Sequence, residues 1–124
     1  MNRAPGQPYR VLLIEDSRDD AELIAFALAD GGLQADCQRA WSADTLREAL
    51  RDAAPQLVLS DLNLPGFCAE EALQMVRAHD PRLPFVLLTG TPAIALPEPL
   101  PGTDGLLSKD DLQQLPDLVR QLLR

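Results

Sequence analysis

Acidic residues follow two short apolar runs of this sequence, and they are the first candidates for chemistry. Glu15 and Asp16 directly follow the run VLLI, and Asp61 comes two residues after the run LVL. Three carboxylates that meet in one crevice repel one another unless a cation or protons neutralise them. Hard oxygen ligands with open positions suit Mg²⁺, which keeps several waters and accepts phosphate oxygens. The pattern therefore predicts a divalent-cation site that also takes a phosphate group.

A hydroxyl and an ammonium group follow two further apolar runs. Thr89 follows the run FVLL, and Lys109 comes two residues after GLL. A carboxylate nucleophile, a magnesium ion, a hydroxyl and a lysine are the parts that phosphoryl transfer to aspartate needs. Taken singly, each residue is more simply explained as a helix cap, a strand-end hydroxyl or a surface charge. Their positions at corresponding strand ends, in chain order, favour the chemical interpretation.

Short buried strands alternating with amphipathic helices must position these residues. Continuous apolar runs are typical of strands buried on both faces of a parallel sheet. In residues 35–40, apolar and polar residues alternate, which predicts an edge strand. Helical periodicity predicts helices over the segments 19–30, 42–54 and 69–79 and from Pro116 onward. Such an alternation predicts a parallel sheet covered on both faces. In strand order 2-1-3-4-5, Glu15, Asp16 and Asp61 converge where the order reverses.

The interval 91–105 breaks this alternation because it contains four prolines. A proline in a helix interior costs about 3 kcal/mol, since it removes a hydrogen bond and clashes with the preceding turn. We therefore expect an extended or irregular loop here, and four full helices in the domain instead of five.

Composition and charge describe one acidic domain. The chain has 124 residues, of which 46% are hydrophobic, enough for a single core. Its net charge of -8 argues against a nucleic-acid surface, which needs clustered Lys and Arg. No apolar run reaches the roughly 18 residues of a membrane span, and no secretory signal is recognisable. We expect a flexible leader at 1–8, one domain at 9–124 and a cytoplasmic location.

The motifs VLLIEDS, LVLSDLNLPG, VLLTG and LLSKDD resemble those of response-regulator receiver domains over roughly residues 9–124. The resemblance implies a flavodoxin-like, doubly wound α/β fold with a five-stranded parallel sheet of order 2-1-3-4-5. It also implies a function in two-component systems or phosphorelays. Asp61 would be the phospho-acceptor, Lys109 would pair with the phosphoryl group, and Thr89 would be the switch hydroxyl.

The resemblance further implies the metal, its ligands and the phosphoryl donor. Asp16, Asp61 and the backbone carbonyl of Asn63 would bind Mg²⁺, for which Mn²⁺ can substitute, with Glu15 acting through water. The donor would be a phosphohistidine on a histidine kinase or a histidine phosphotransfer domain. The chain would catalyse only its own phosphorylation and dephosphorylation, so it is not expected to be an enzyme. Neither nucleic acid nor membrane is an expected partner.

Two departures from the family pattern affect the expected signalling. Leu106 lies three residues before Lys109, where receiver domains usually have Tyr or Phe. The coupled threonine–aromatic rearrangement therefore cannot occur in its usual form. The proline-rich interval 91–105 also replaces the fourth helix, part of the face that many receivers use for dimerisation or output. We expect atypical output switching and a monomer.

The first helix carries an aromatic residue outside its apolar stripe. The predicted inward stripe consists of Leu23, Ile24, Ala27 and Leu28. Phe26 falls outside it, which makes this helix a candidate kinase-docking surface, although an exposed rim aromatic is the simpler explanation. Cys37 and Cys68 match no metal spacing and are predicted to be buried thiols.

Three other interpretations fit parts of the pattern. A flavodoxin-like FMN binder needs a donor-rich loop after the first strand, whereas the loop EDSRDD repels phosphate. A haloacid-dehalogenase-type phosphatase needs a second Asp two residues after the nucleophile, where Asn63 stands. A receiver-like interaction module regulated independently of phosphorylation remains open because of Leu106 and the missing helix. The sequence names neither the kinase, the input signal nor the output, and it leaves open whether the chain is a piece of a longer protein.

Overall fold

Strands and helices alternate along the chain as its sequence predicts. The structure is a computed structural model that describes residues 6–123, so most of the predicted leader lies outside the described residues. The elements are β1 (Tyr9–Ile14), α1 (Arg18–Asp30), β2 (Ala35–Ala40), α2 (Ala43–Ala53), β3 (Leu57–Asp61), α3 (Ala69–His79), β4 (Phe85–Thr89), β5 (Gly105–Ser108) and α4 (Leu115–Leu122). The strands form one parallel sheet of order β2-β1-β3-β4-β5, which confirms the predicted doubly wound fold.

Each face of the sheet carries its own apolar core. On one face, the strands pack against α2 and α3 through residues such as Leu12, Val58 and Leu87. On the other face, they pack against α1 and α4 through residues such as Leu13 and Leu59. Burying one Val or Leu side chain contributes roughly 1.5–3 kcal/mol, so the two cores hold the central strands firmly. The carboxyl ends of these strands are therefore fixed points on which a site can be built.

Helix α1 buries a narrower stripe than its sequence predicts. Ala21, Ile24 and Leu28 are buried, but Leu23 is 58% exposed, so its predicted inward position was wrong. Successive residues of an α-helix are separated by about 100°, which turns Leu23 away from the line through Ile24 and Leu28. Phe26 is 69% exposed, as its place outside the stripe predicts. In the described part of the chain, no helix has the length and apolarity needed to cross a membrane.

The interval 91–105 contains no α-helix, and residues 6–123 hold four α-helices, as expected. It contains a 3-10 turn at Ala93–Ala95 and a second turn in which the Thr103 amide donates to the carbonyl of Leu100 at 3.3 Å. Arg77 of α3 secures the far end of the interval, since its Nη2 donates to the carbonyl of Gly102 at 2.8 Å and to Asp104 at 3.2 Å. The same Asp104 carboxylate accepts from the first amide of β4. The loop is thus anchored without a helix.

The two cysteines differ in environment. Cys68 is exposed, so its predicted burial was wrong. It caps α3, where its Sγ accepts a hydrogen bond from the Glu71 amide at 3.4 Å. Cys37 is half-buried, and burial raises the pKa of its thiol to about 11. Cys37 therefore stays a neutral thiol at physiological pH.

Candidate functional site

Three carboxylates meet at the carboxyl edge of β1 and β3. Ile14 pairs with Ser60 in the parallel register, so Glu15 and Asp61, which come next in the chain, become neighbours. One oxygen of each of Glu15, Asp16 and Asp61 lies within 4.8 Å of the others. The structure thus brings together the acidic residues that the sequence singles out. The strand order reverses between the neighbouring strands β1 and β3. In open parallel sheets, ligands bind at this point of reversal.

Lys109, the only lysine of the chain, closes this acidic crevice. Its Nζ donates to Glu15 at 2.8 Å, to Asp20 at 2.8 Å and to Asp61 at 3.2 Å. All three protons of the ammonium group therefore have a carboxylate acceptor. Burial alone would lower the pKa of Lys109, but the hydrogen bonds to Asp20 and Glu15, together with the charge of Asp61, raise it above its ordinary value. Lys109 is thus a permanent cation beside Asp61.

Glu15 and Asp16 differ in what they can bind. Glu15 is 1% exposed, and burial raises its pKa against the opposing effect of its hydrogen bonds. Its Oε1 accepts from the Ser17 amide at 3.1 Å, while its Oε2 accepts from Lys109. Asp16, in contrast, is exposed. The Asp16 carboxylate is therefore the one that solvent and ions reach freely.

Asp61 is the last residue of β3, and its side chain is 11% exposed. Its Oδ1 accepts a hydrogen bond from the Asn63 amide at 3.0 Å, and its Oδ2 faces Lys109. Asn63 itself is exposed. The residues fit a small hard cation: the donors are carboxylate oxygens, they lie close together, and the exposed Asp16 leaves room for the waters that Mg²⁺ retains.

Thr89 ends β4 one residue beyond Leu88, which pairs with Asp61. The Thr89 side chain is fully buried, and its hydroxyl donates to the Thr91 hydroxyl at 3.2 Å and accepts from the Thr91 amide at 3.2 Å. Leu106 is half-buried and packs on the core shared with α2 and α3. The hydrogen-bond partner of the Thr89 hydroxyl is thus the start of the proline-rich loop.

Two residues at this edge escaped the sequence reasoning. In the sequence, Asp20 is one of several acids that follow the first strand, and nothing distinguishes it as a partner of Lys109. The signal that could have identified it is its position in the first turn of α1, which Ser17 caps. Arg39, near the end of β2, donates from Nη1 to the carbonyls of Glu15 at 3.1 Å and Asp16 at 3.3 Å. The pairing of β2 with β1 places Arg39 opposite Leu13, close to Glu15 and Asp16. This contact cannot be predicted from the sequence, because the sequence does not give the pairing of an edge strand.

The chain is similar in sequence to proteins of one known family. The family model for the response regulator receiver domain matches residues 11–120 of the chain. The chain belongs to this family. The receiver domain is 34% identical over 119 residues to transcriptional regulatory protein TctD of Salmonella typhimurium, a match that covers 93% of the chain and 52% of TctD. It is 33% identical over 94 residues to the probable transcriptional regulatory protein TcrX of Mycobacterium tuberculosis, covering 76% of the chain and 39% of TcrX.

A solved structure of the same fold matches the receiver domain over nearly its full length. The crystal structure of the signal receiver domain of an HD domain-containing protein from Pseudomonas fluorescens superposes with a TM-score of 0.76 at 25% identity. The match covers 94% of this chain and 95% of that chain. The receiver domain spans about half or less of the curated relatives TctD and TcrX. The chain is therefore a receiver domain of the two-component response-regulator type.

Proposed function

We propose that this receiver domain accepts a phosphoryl group on Asp61 from a phosphohistidine of a histidine kinase or a histidine phosphotransfer domain. The observation that carries the proposal is the contact between the Asp61 carboxylate and Lys109, 48 positions apart in the chain, beside the Glu15–Asp16 pair. A carboxylate nucleophile next to a fixed cation and a metal-binding acidic pair is the arrangement that phosphoryl transfer to aspartate requires.

The transfer is an in-line displacement at phosphorus. An oxygen of Asp61 attacks the phosphorus atom, the P–O bond forms, and the P–N bond of the phosphohistidine breaks with its electron pair returning to the imidazole. Lys109 pairs with a phosphoryl oxygen, and the Thr89 hydroxyl donates a hydrogen bond to another. Water later attacks the phosphorus of the acyl phosphate, which releases inorganic phosphate and restores the Asp61 carboxylate. Asn63, and Thr91 beside Thr89, flank the approach of that water.

The acidic residues support a dependence of this chemistry on a divalent cation. Asp16, Asp61 and the carbonyl of Asn63 would hold Mg²⁺ or Mn²⁺, and Glu15 would bind through water. A bound Mg²⁺ would supply positive charge to the phosphoryl oxygens and to the acidic crevice. Glu15 keeps its own hydrogen bonds to Lys109 and the Ser17 amide, which suits an indirect role.

The proposal includes no turnover of an external substrate, since the domain modifies only itself. A phosphohistidine donor made by an ATP-dependent kinase favours a cytoplasmic location. The connection between β4 and β5 favours a monomer, because the helix that commonly contributes to dimerisation is replaced there by the proline-rich loop.

A receiver-shaped interaction module regulated without phosphate is the second candidate. Leu106 in place of the aromatic, and the loop 91–105 in place of a helix, favour it, because both remove parts of the usual readout. Such a module would bind its partner equally well whether or not Asp61 can be phosphorylated. The complete set of acceptor-site residues supports the first candidate.

Beryllofluoride, which mimics an aspartyl phosphate, tests the proposal directly. We expect the amide NMR signals near Asp61, Thr89 and Lys109 to shift when beryllofluoride is added to the Mg²⁺-saturated domain, beyond the shift that Mg²⁺ alone produces, and not to shift with beryllofluoride alone. Asp61→Asn serves as the control that removes the acceptor, and beryllofluoride should add no shift to its Mg²⁺-saturated spectrum. A wild-type spectrum that is the same with both additives as with Mg²⁺ alone would contradict the proposal and leave the interaction module as the better account.

A further inference from the structure

Asp20 binds Lys109 but stands outside the group of acids that can hold a metal. Its Oδ2 lies 2.8 Å from Nζ of Lys109. The acids with oxygens close enough for a shared ion are Glu15, Asp16 and Asp61. Asp20 lies in the first turn of α1, where its backbone amide donates to the side chain of the cap residue Ser17 at 3.2 Å. The helix start therefore fixes its position relative to Lys109.

Lys109 has no spare proton for a phosphoryl oxygen. Its three donors are matched to three carboxylates, Glu15, Asp20 and Asp61. If Lys109 is to pair with a phosphoryl group on Asp61, at least one of these hydrogen bonds must give way. We propose that Asp20 is a positioning residue that holds Lys109 in the unphosphorylated domain and competes with the phosphoryl group for it. This inference rests on the function proposed above.

Burial indicates which contact gives way. The Glu15 side chain is 2% exposed, so losing Lys109 would leave a buried carboxylate without its cation, which is strongly unfavourable. The third contact is to Asp61, the residue that carries the phosphoryl group. The Asp20 side chain is 40% exposed, so water can replace Lys109 there at small cost. Asp20 is thus the partner that Lys109 leaves.

The matched pair of variants Asp20→Asn and Asp19→Asn isolates this contact. Both acids lie in the first turn of α1, and both variants remove one negative charge beside the helix start. Asp19 is exposed, and the Lys109 hydrogen bonds go to Glu15, Asp20 and Asp61. Asn also keeps the size of the side chain, and Asp20→Ser is a second variant that retains a helix-start residue. The difference between the variants therefore reports the contact with Lys109.

The first measurement is the affinity for beryllofluoride at saturating Mg²⁺. We expect Asp20→Asn to bind it about two- to five-fold more tightly than Asp19→Asn, the range expected for releasing a partly exposed ion pair. A purely structural role of Asp20 would weaken binding or leave it unchanged. Equal or weaker binding by both Asp20 variants, compared with Asp19→Asn, would overturn the inference.

The second measurement needs neither metal nor beryllofluoride. Because Lys109 is the only lysine, ¹⁵N-lysine labelling gives a single side-chain ammonium signal. We expect Asp20→Asn to move the Lys109 Nζ signal and Asp19→Asn to leave it in place; an unmoved signal in Asp20→Asn would also overturn the inference. A wild-type domain that does not respond to beryllofluoride and Mg²⁺ would instead defeat the proposed function. The two failures are therefore distinguishable.

Discussion

The guanidinium carbon of Arg39 lies 4.5 Å from the ring centroid of Trp41. The same guanidinium group donates hydrogen bonds to the backbone carbonyls of Glu15 and Asp16. Trp41 is the only tryptophan of the chain and is 46% exposed. A cation over an aromatic face is attracted by the ring quadrupole, so the electrostatic environment of the indole depends on the position of Arg39. Arg39 is therefore a physical connection between the acidic pair and the single tryptophan.

We predict that Mg²⁺ changes the intrinsic fluorescence of Trp41. We expect ion binding at Asp16 to reposition the carbonyls that Arg39 contacts, and the cation–π contact to change with them. A fluorescence titration should saturate in wild type and be lost in Asp16→Asn, which removes a proposed ligand. In Arg39→Ala, Mg²⁺ should still shift the amide NMR signals near Asp61 while the fluorescence response disappears. A full fluorescence response in Arg39→Ala would rule out this route.

We predict that Asp61→Asn abolishes labelling of the domain by acetyl phosphate in the presence of Mg²⁺. An amide is far less nucleophilic than a carboxylate, and Asn does not attract the Lys109 cation as Asp61 does at 3.2 Å. The intact-mass gain of one phosphoryl group should be present in wild type and absent in the variant. Asp19→Asn is the matched control and should still be labelled. Labelling of Asp61→Asn at another residue would contradict the acceptor assignment.

We predict that Phe26→Ala slows phosphotransfer from a phosphorylated histidine kinase or phosphotransfer protein but not from acetyl phosphate. Phe26 and Leu23, one helical turn apart on α1, are 69% and 58% exposed and form an apolar surface that a protein donor can cover. A small donor needs no such surface. Ile94→Ala removes an apolar side chain that is 97% exposed on the proline-rich loop, and it should leave both rates unchanged. An unaltered protein-donor rate in Phe26→Ala would end the docking hypothesis.

We predict that Gly31→Ala lowers the free energy of unfolding by about 1–3 kcal/mol. The backbone of Gly31 has an ordinary φ of -82°, so strain in the main chain is not the cause. A Cβ at this position would collide with Cβ and Cγ of Pro116, which opens α4 against the end of α1. Gly90→Ala is the control, since a Cβ there meets nothing within 4 Å. Urea denaturation that ranks the two variants equally would contradict this account of the α1–α4 contact.

The sequence by itself determined the order and type of the elements. Continuous apolar runs such as residues 11–14 can be buried only in a sheet covered on both faces, and the prolines of 91–105 exclude a helix interior. Because parallel strands end on the same edge, the placement of Glu15, Asp16 and Asp61 followed from the strand order. These are local or topological constraints, and the structure agrees with each of them.

Only the tertiary structure decided which side chains touch. Asp20 reaches Lys109 across 89 positions of the chain because the start of α1 lies beside the end of β5, and charge pattern alone does not show that distance. The exposure of Leu23 and Cys68 depends on which helices pack nearby, so their predicted burial was wrong. Helix periodicity predicts the buried face of a helix only to within about one residue. A hydrogen bond requires its donor and acceptor atoms to lie within about 3.2 Å of each other. The acidic crevice was therefore predictable from the sequence, and the third partner of Lys109 was not.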